Sequence, residues 1–95
     1  MLKKFEWDGA KASSNFCKHG LSFATATETF DDPNHLILPT VRAGDGEDRF
    51  KAIGLIENRL YAVVFVERGD SIRFISARRA NKQETKRYGD RLLHP

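Results

Sequence analysis

Residues 60–66 read Leu60-Tyr61-Ala62-Val63-Val64-Phe65-Val66, a near-continuous apolar run. A run of this length, rich in β-branched and aromatic residues, predicts a central strand buried on both faces. Turn signals bound it: Glu57-Asn58-Arg59 before and Arg68-Gly69-Asp70 after. Outward from these turns the hydrophobic period is two. Arg49–Glu57 places Phe50, Ala52, Gly54 and Ile56 on one face, and Ser71–Arg78 is the strand that follows the run. Further upstream, His35–Arg42 is a strand interrupted at Pro39, which places it at an edge or a bulge. Gly44-Asp45-Gly46 is the turn that leads out of it. Four consecutive strands joined by short turns predict an antiparallel meander.

The flanks supply helices. Leu2–Trp7 alternates weakly and reads as a short, edge-like strand. Asp8 can cap a helix over Gly9–Lys18, with Ala12 and Phe16 as its apolar stripe, Cys17 beside it, and Gly20 as its left-handed stop. Ser22 can cap a second short helix carrying Phe23, Ala26 and Phe30, which Asp31-Asp32-Pro33 ends. Asn81 followed by Glu84 is a capping-box pattern, so a last helix runs from about Lys82 to Arg91. The order is β-α-α-β-β-β-β-α. The fold class is α+β, with a meander sheet covered by helices and one domain over residues 1–95.

Composition narrows the function. At 95 residues, 40% hydrophobic and 31% charged, the chain is too apolar for disorder and too polar for a membrane protein. No run approaches a bilayer span, and Met1–Asp8 lacks the apolar region of a secretory signal. The single cysteine, Cys17, cannot form an internal disulfide, so a cytoplasmic setting is expected. Its place beside an apolar stripe favours a core role over a nucleophile. The net charge of +3 is unevenly held: residues 1–48 carry five basic and eight acidic side chains, residues 49–95 eleven and five. A basic half on a small domain suits a polyanion such as a nucleic acid, a solvated face, or an acidic protein partner.

No glycine-rich phosphate loop, CxxC or HExxH is present, and the three histidines lack metal-ligand spacing, so neither a cofactor nor a metal is expected. The informative stretch is Arg68 to Arg79. Arg73 lies between Ile72 and Phe74 inside a strand, and Arg78 and Arg79 close that strand. A strand arginine beside buried neighbours must be paired or face a ligand. Its planar fork suits phosphate; the competing role is an ion pair with Glu67, Glu47, Asp48 or Glu84. In an ideal strand Arg73 and Arg79 share a face and Arg78 opposes them, an assignment that a bulge near Ile75-Ser76 would change. Lys18-His19-Gly20 forms a second candidate at a helix C-terminus, where His19 serves either as a proton-transfer group or simply as a cation favoured by the helix dipole. Tyr61 and Tyr88 have rings that stack on bases, although packing suits Tyr61 better; Trp7 reads as core.

Taken together, Phe5-Glu6-Trp7-Asp8, Lys11, Asn15, Lys18-His19-Gly20, Phe23, Ala26 and Phe30 resemble the BrnT family of bacterial toxins. The second half resembles it through Gly46-Glu47, Arg49, Ile53-Gly54, Arg68-Gly69-Asp70, Arg73, Ile75-Ser76-Ala77-Arg78, Ala80, Glu84 and Tyr88. The resemblance implies a RelE-like fold and a ribonuclease toxin of a type II toxin–antitoxin pair that inhibits translation. It also implies neutralisation by a BrnA-like ribbon-helix-helix antitoxin, through which alone operator DNA is met. For metal-free RNA cleavage we assign Arg73 and Arg78 to the phosphate and Lys18 to positioning RNA. His19 or Glu67 moves the proton. Arg68, Arg79 and Tyr88 are further RNA contacts. The alternatives are a nucleic-acid-binding module without catalysis and a protein-interaction domain.

Overall fold

The computed structural model describes residues 4–40 and 48–94. Along these the chain forms β1 (Lys4–Glu6), α1 (Gly9–His19), α2 (Phe23–Ala26) continued by a 3₁₀ turn over Thr27–Asp31, β2 (Leu36–Pro39), β3 (Phe50–Ile56), β4 (Arg59–Arg68), β5 (Ser71–Arg79) and α3 (Lys82–Leu93). The order matches the expected β-α-α-β-β-β-β-α. The Gly44-Asp45-Gly46 turn lies outside the described residues. The caps read from the sequence are in place. The Asp8 carboxylate accepts from the Lys11 amide, Gly20 ends α1 at φ 69°, and Asn81 and Glu84 form a reciprocal capping box on α3.

The strands make one sheet in the order β1-β5-β4-β3-β2. β2 to β5 are the expected antiparallel meander, and the 57–58 turn is a two-residue hairpin with both Glu57 and Asn58 at positive φ. β1 is the short edge strand that the sequence suggests. It pairs parallel with β5, Lys4 against Ser71 and Glu6 against Arg73, so the sheet is mixed. Most of the chain separates those partners, so no turn fixes their relative direction.

Each face of the sheet has its own core. One holds Ala52, Val63, Phe65, Ile72, Phe74 and Ala77 under Leu21, Phe23 and Ala26. Phe74 is its hub, with ring centroids of Phe5, Trp7, Phe23 and Phe30 at 5.4–6.0 Å. Gly54 allows the 3₁₀ turn to lie on β3, because a Cβ there would stand 2.7 Å from the Thr29 carbonyl oxygen. The opposite face is covered by α3, whose Tyr88 packs with Leu36, Ile53 and Ala62.

Two packing expectations fail on α1. Phe16 is 55% exposed and Cys17 is exposed, whereas Asn15 is buried. The face turned to the sheet centres on Asn15, and Leu21 and Phe23 fill the core space assigned to Phe16.

Candidate functional site

The site begins with how α1 is fixed. β1 covers only the start of β5, from Ser71 to Arg73, and leaves the later backbone groups of β5 without a strand neighbour on that side. Asn15 takes that place. Its amide oxygen accepts from the Ala77 N–H at 2.9 Å, and its Nδ2 donates to the Ala77 carbonyl at 2.8 Å and to the Leu21 carbonyl at 3.1 Å. The side chain thus imitates one residue of a sheet partner and satisfies backbone groups that burial would otherwise orphan. It also clamps the last turn of α1, which carries Lys18 and His19, against the strand edge.

Beside this clamp, Lys11, Ser14, Asn15, Lys18 and His19 of α1 and Ile75 and Ser76 of β5 line a cleft of about 220 Å³. Its functional groups are ammoniums, an imidazole, hydroxyls and an amide. Among the described residues no carboxylate lines it, so it suits an anion. A wider groove of about 470 Å³ lies on the other flank of α1, but Trp7, Ala12, Phe16, Cys17 and Phe23 make it mainly apolar.

A bulge decides where the arginines go. Val64 pairs with Ser76 and Phe65 with Phe74, which leaves Ile75 as an extra residue in β5. The insertion resets the alternation. Arg73 lies opposite Val66 and Arg78 opposite Ala62, and both therefore share the α3 face with Ser76; Arg79, opposite Tyr61, is on the other. The ideal-strand assignment is reversed by one residue.

On that shared face the two arginines differ. Arg73 is half-buried and meets Glu6 only at 3.7 Å. Arg78 donates from its two terminal nitrogens to the two Glu84 oxygens at 2.7 and 2.9 Å. Glu84 is 1% exposed and also accepts from Lys51 Nζ at 2.8 Å and from the Asn81 amide at 2.9 Å. The Arg78 bonds, opposed by burial and helped by Lys51, bring its carboxyl down to about 2. Glu84 in turn raises the Arg78 guanidinium above its ordinary value. The expected phosphate grip through the Arg78 fork is thus corrected: the fork is occupied by Glu84, the ion-pair alternative.

The remaining candidates scatter. Glu67 pairs with Ile72, one residue out of phase with Val66, so it lies on the face opposite Arg73 and Arg78. Arg68, opposite Ser71, is on the Arg73 face at the far end of the strand. Arg79 lies 5.7 Å over the Tyr61 ring. Tyr88 is 4% exposed and its hydroxyl donates to Asp32 at 2.7 Å, so its ring packs in the core and is not presented for stacking. Burial and that bond push the Tyr88 hydroxyl up to about 12. Burial also works against the Asp32 carboxylate, but the Tyr88 hydroxyl and the Leu55 and Asn34 amides outweigh it and hold it low. Sequence reasoning missed Ser14 as a cleft residue. Lys11, Asn15 and Ser76 stood in the family-like pattern without a role. Among the described residues, no group of three or more His, Cys, Asp or Glu is placed to hold a metal ion, and no helix is long and apolar enough to cross a membrane.

A family model described as "Ribonuclease toxin, BrnT, of type II toxin-antitoxin system" matches residues 7–84. No curated protein matches the chain. The matched span runs from Trp7 to Glu84 and contains α1, the β5 bulge and the Arg78–Glu84 pair. The chain therefore belongs to the BrnT family of ribonuclease toxins of type II toxin–antitoxin systems, whose target is RNA and whose partner is an antitoxin.

Proposed function

We propose that this chain is an endoribonuclease that cleaves RNA without a metal ion, in the cleft between the last turn of α1 and the β5 bulge. The 2′-hydroxyl oxygen attacks the adjacent phosphorus and the bond to the 5′-oxygen breaks, leaving a 2′,3′-cyclic phosphate and a 5′-hydroxyl. One group takes the 2′-proton and one returns a proton to the 5′-oxygen. Such acid–base help is worth about 10²–10⁴-fold.

His19 is the proton-transfer group of this reading. It lines the cleft, whereas Glu67 lies on the other face of the sheet. Lys18 and Lys11 hold the strand. Arg73, on the Ser76 face and only loosely paired, supplies charge to the phosphorane. Arg78 contributes positive charge from behind the Glu84 pair rather than a bidentate grip. The observation that carries the reading is the cleft itself, with two lysines, an imidazole and hydroxyls around a space that no described carboxylate lines. In the cytoplasm this activity would inhibit translation, and a BrnA-like ribbon-helix-helix antitoxin would neutralise it and bring it to operator DNA.

The test is pure protein with defined synthetic RNA, with and without EDTA, and with and without ribosomes. Cleavage that survives EDTA and yields cyclic phosphate ends is expected. Intact RNA in every arm, with salt-sensitive binding, would replace the enzyme by a non-catalytic binding module.

A further inference from the structure

A second cationic groove lies on the α3 side of the sheet. It measures about 330 Å³ and is lined by Leu38, Lys51, Gln83, Glu84, Lys86 and Arg87. Gln83, Lys86 and Arg87 are spaced i, i+3, i+4 and so share one face of α3. Its position relative to the cleft follows from the strand register. Leu38 pairs with Lys51, Lys51 with Val64, and Val64 with Ser76, so these four residues form one row across β2, β3, β4 and β5 on a single face. Leu38 and Lys51 line the groove, and Ser76 lines the cleft. Lys51 and Ser76 are two strand spacings apart, about 10 Å.

Between them the floor is Val64, partly exposed and uncharged. On the groove side, Arg78 and Lys51 pair with Glu84 and Lys86 pairs with Asp90, and Arg87 adds a further cation to the lining. The Lys86–Asp90 pair is exposed on both sides and holds its lysine weakly. The row therefore leads from an anion-suited cleft over a neutral floor to an excess of positive charge, a path that non-adjacent phosphates of one strand can follow. The apolar area that a protein partner would favour lies elsewhere, along Trp7, Ala12 and Phe16.

We infer that the Lys86–Arg87 side of this groove is a subsite for a phosphate of single-stranded RNA flanking the scissile linkage, beyond the Lys51 end of the Leu38–Lys51–Val64–Ser76 row. This rests on the ribonuclease reading, but its test does not need cleavage. Binding of uncleavable 2′-O-methyl oligonucleotides is measured against salt for the parent, the double variant Lys86→Gln/Arg87→Gln, and Arg87→Lys. Lys51 is left in place because it supports Glu84. The double variant loses the affinity gained on lengthening a dinucleotide to an oligonucleotide, and its log–log salt slope is shallower by about 0.7, one phosphate contact of a single strand. Arg87→Lys keeps the parental slope, and thermal unfolding confirms an intact α3. An unchanged slope and affinity in the double variant would overturn the inference. So would weakened antitoxin binding with RNA binding intact, which would assign the groove to a protein partner. A parent that binds oligonucleotides but cleaves none would refute the proposed reaction and leave this groove to be judged by binding alone.

Discussion

Two cation clusters sit on either side of the same strand end and do different work. Around Glu84, Arg78 and Lys51 converge on a buried carboxylate, and the charges hold α3 to the sheet. Around Ser76, Lys11, Lys18 and His19 converge on a space that no described carboxylate lines. Composition alone does not separate the two, because both are basic residues close to β5. What separates them is whether the fold supplies an anion. Where it does, the charge is structural. Where it does not, the charge is available to one from outside.

The largest effect that tests this contrast is on stability. Glu84→Ala leaves Arg78 and Lys51 facing each other without their carboxylate, and breaking a buried pair in this way costs about 3–5 kcal/mol. That is a large share of the roughly 5–15 kcal/mol available to a small domain. Chemical denaturation should show the loss, whereas Lys18→Ala in the other cluster should move stability by no more than about 0.5 kcal/mol. Equal effects would erase the distinction.

The arginine pair sharpens it next. Arg73→Ala should slow RNA cleavage by about 10²–10³-fold, the size of one lost electrostatic donor. Its contact with Glu6 is long and partly exposed, so the loss of stability should stay below about 1 kcal/mol. Arg78→Ala should reverse the order, with a clear loss of stability and a smaller effect on rate. Rate and denaturation measurements on both variants decide it.

Asn15 joins the two halves of the account. Asn15→Ala leaves both backbone groups of Ala77 and the Leu21 carbonyl without their amide partner, at a cost of about 1–3 kcal/mol. It also releases the α1 turn that carries Lys18 and His19. Cleavage should therefore fall further than the folded fraction does, measured at a temperature where the variant remains native.

The gentlest probe is pH. Glu84 moves from 4.5 to about 2 on folding. The unfolded chain binds its proton first, so the stabilisation is fully present above the unfolded value and is lost as pH falls from about 4.5 to about 2. Asp32, also lowered, adds in the same direction. Glu84→Gln should flatten this part of the stability profile, while Lys18→Ala should leave it unchanged.

Much of this architecture can be read from residue order. The caps at Asp8, Gly20 and Asn81, the buried strand 60–66 and the β3 face pattern are local signals, and each appears where the pattern places it. Long-range choices are less accessible. The parallel pairing of β1 with β5 involves residues far apart in sequence. The bulge at Ile75 was anticipated as a condition that would change the faces, but only the register with β4 shows that Arg73 and Arg78 come together. Phe16 misled because helical periodicity ranks hydrophobicity, whereas the docking face is set by an asparagine that completes a strand edge. Arg78 was weighed between phosphate and carboxylate, and the spacing that makes Glu84 a helix cap also brings it onto the guanidinium.

The central claim, that the α1–β5 cleft is where RNA is cut, is tested most directly by the single-turnover rate of His19→Ala on a defined synthetic RNA beside the parent. The exposed imidazole contributes no packing, so thermal unfolding should be unchanged. A rate lower by about 10²–10⁴-fold with an unchanged fold is the predicted result. A variant that cleaves the same bond at the parental rate would contradict the account and move the reaction away from this cleft.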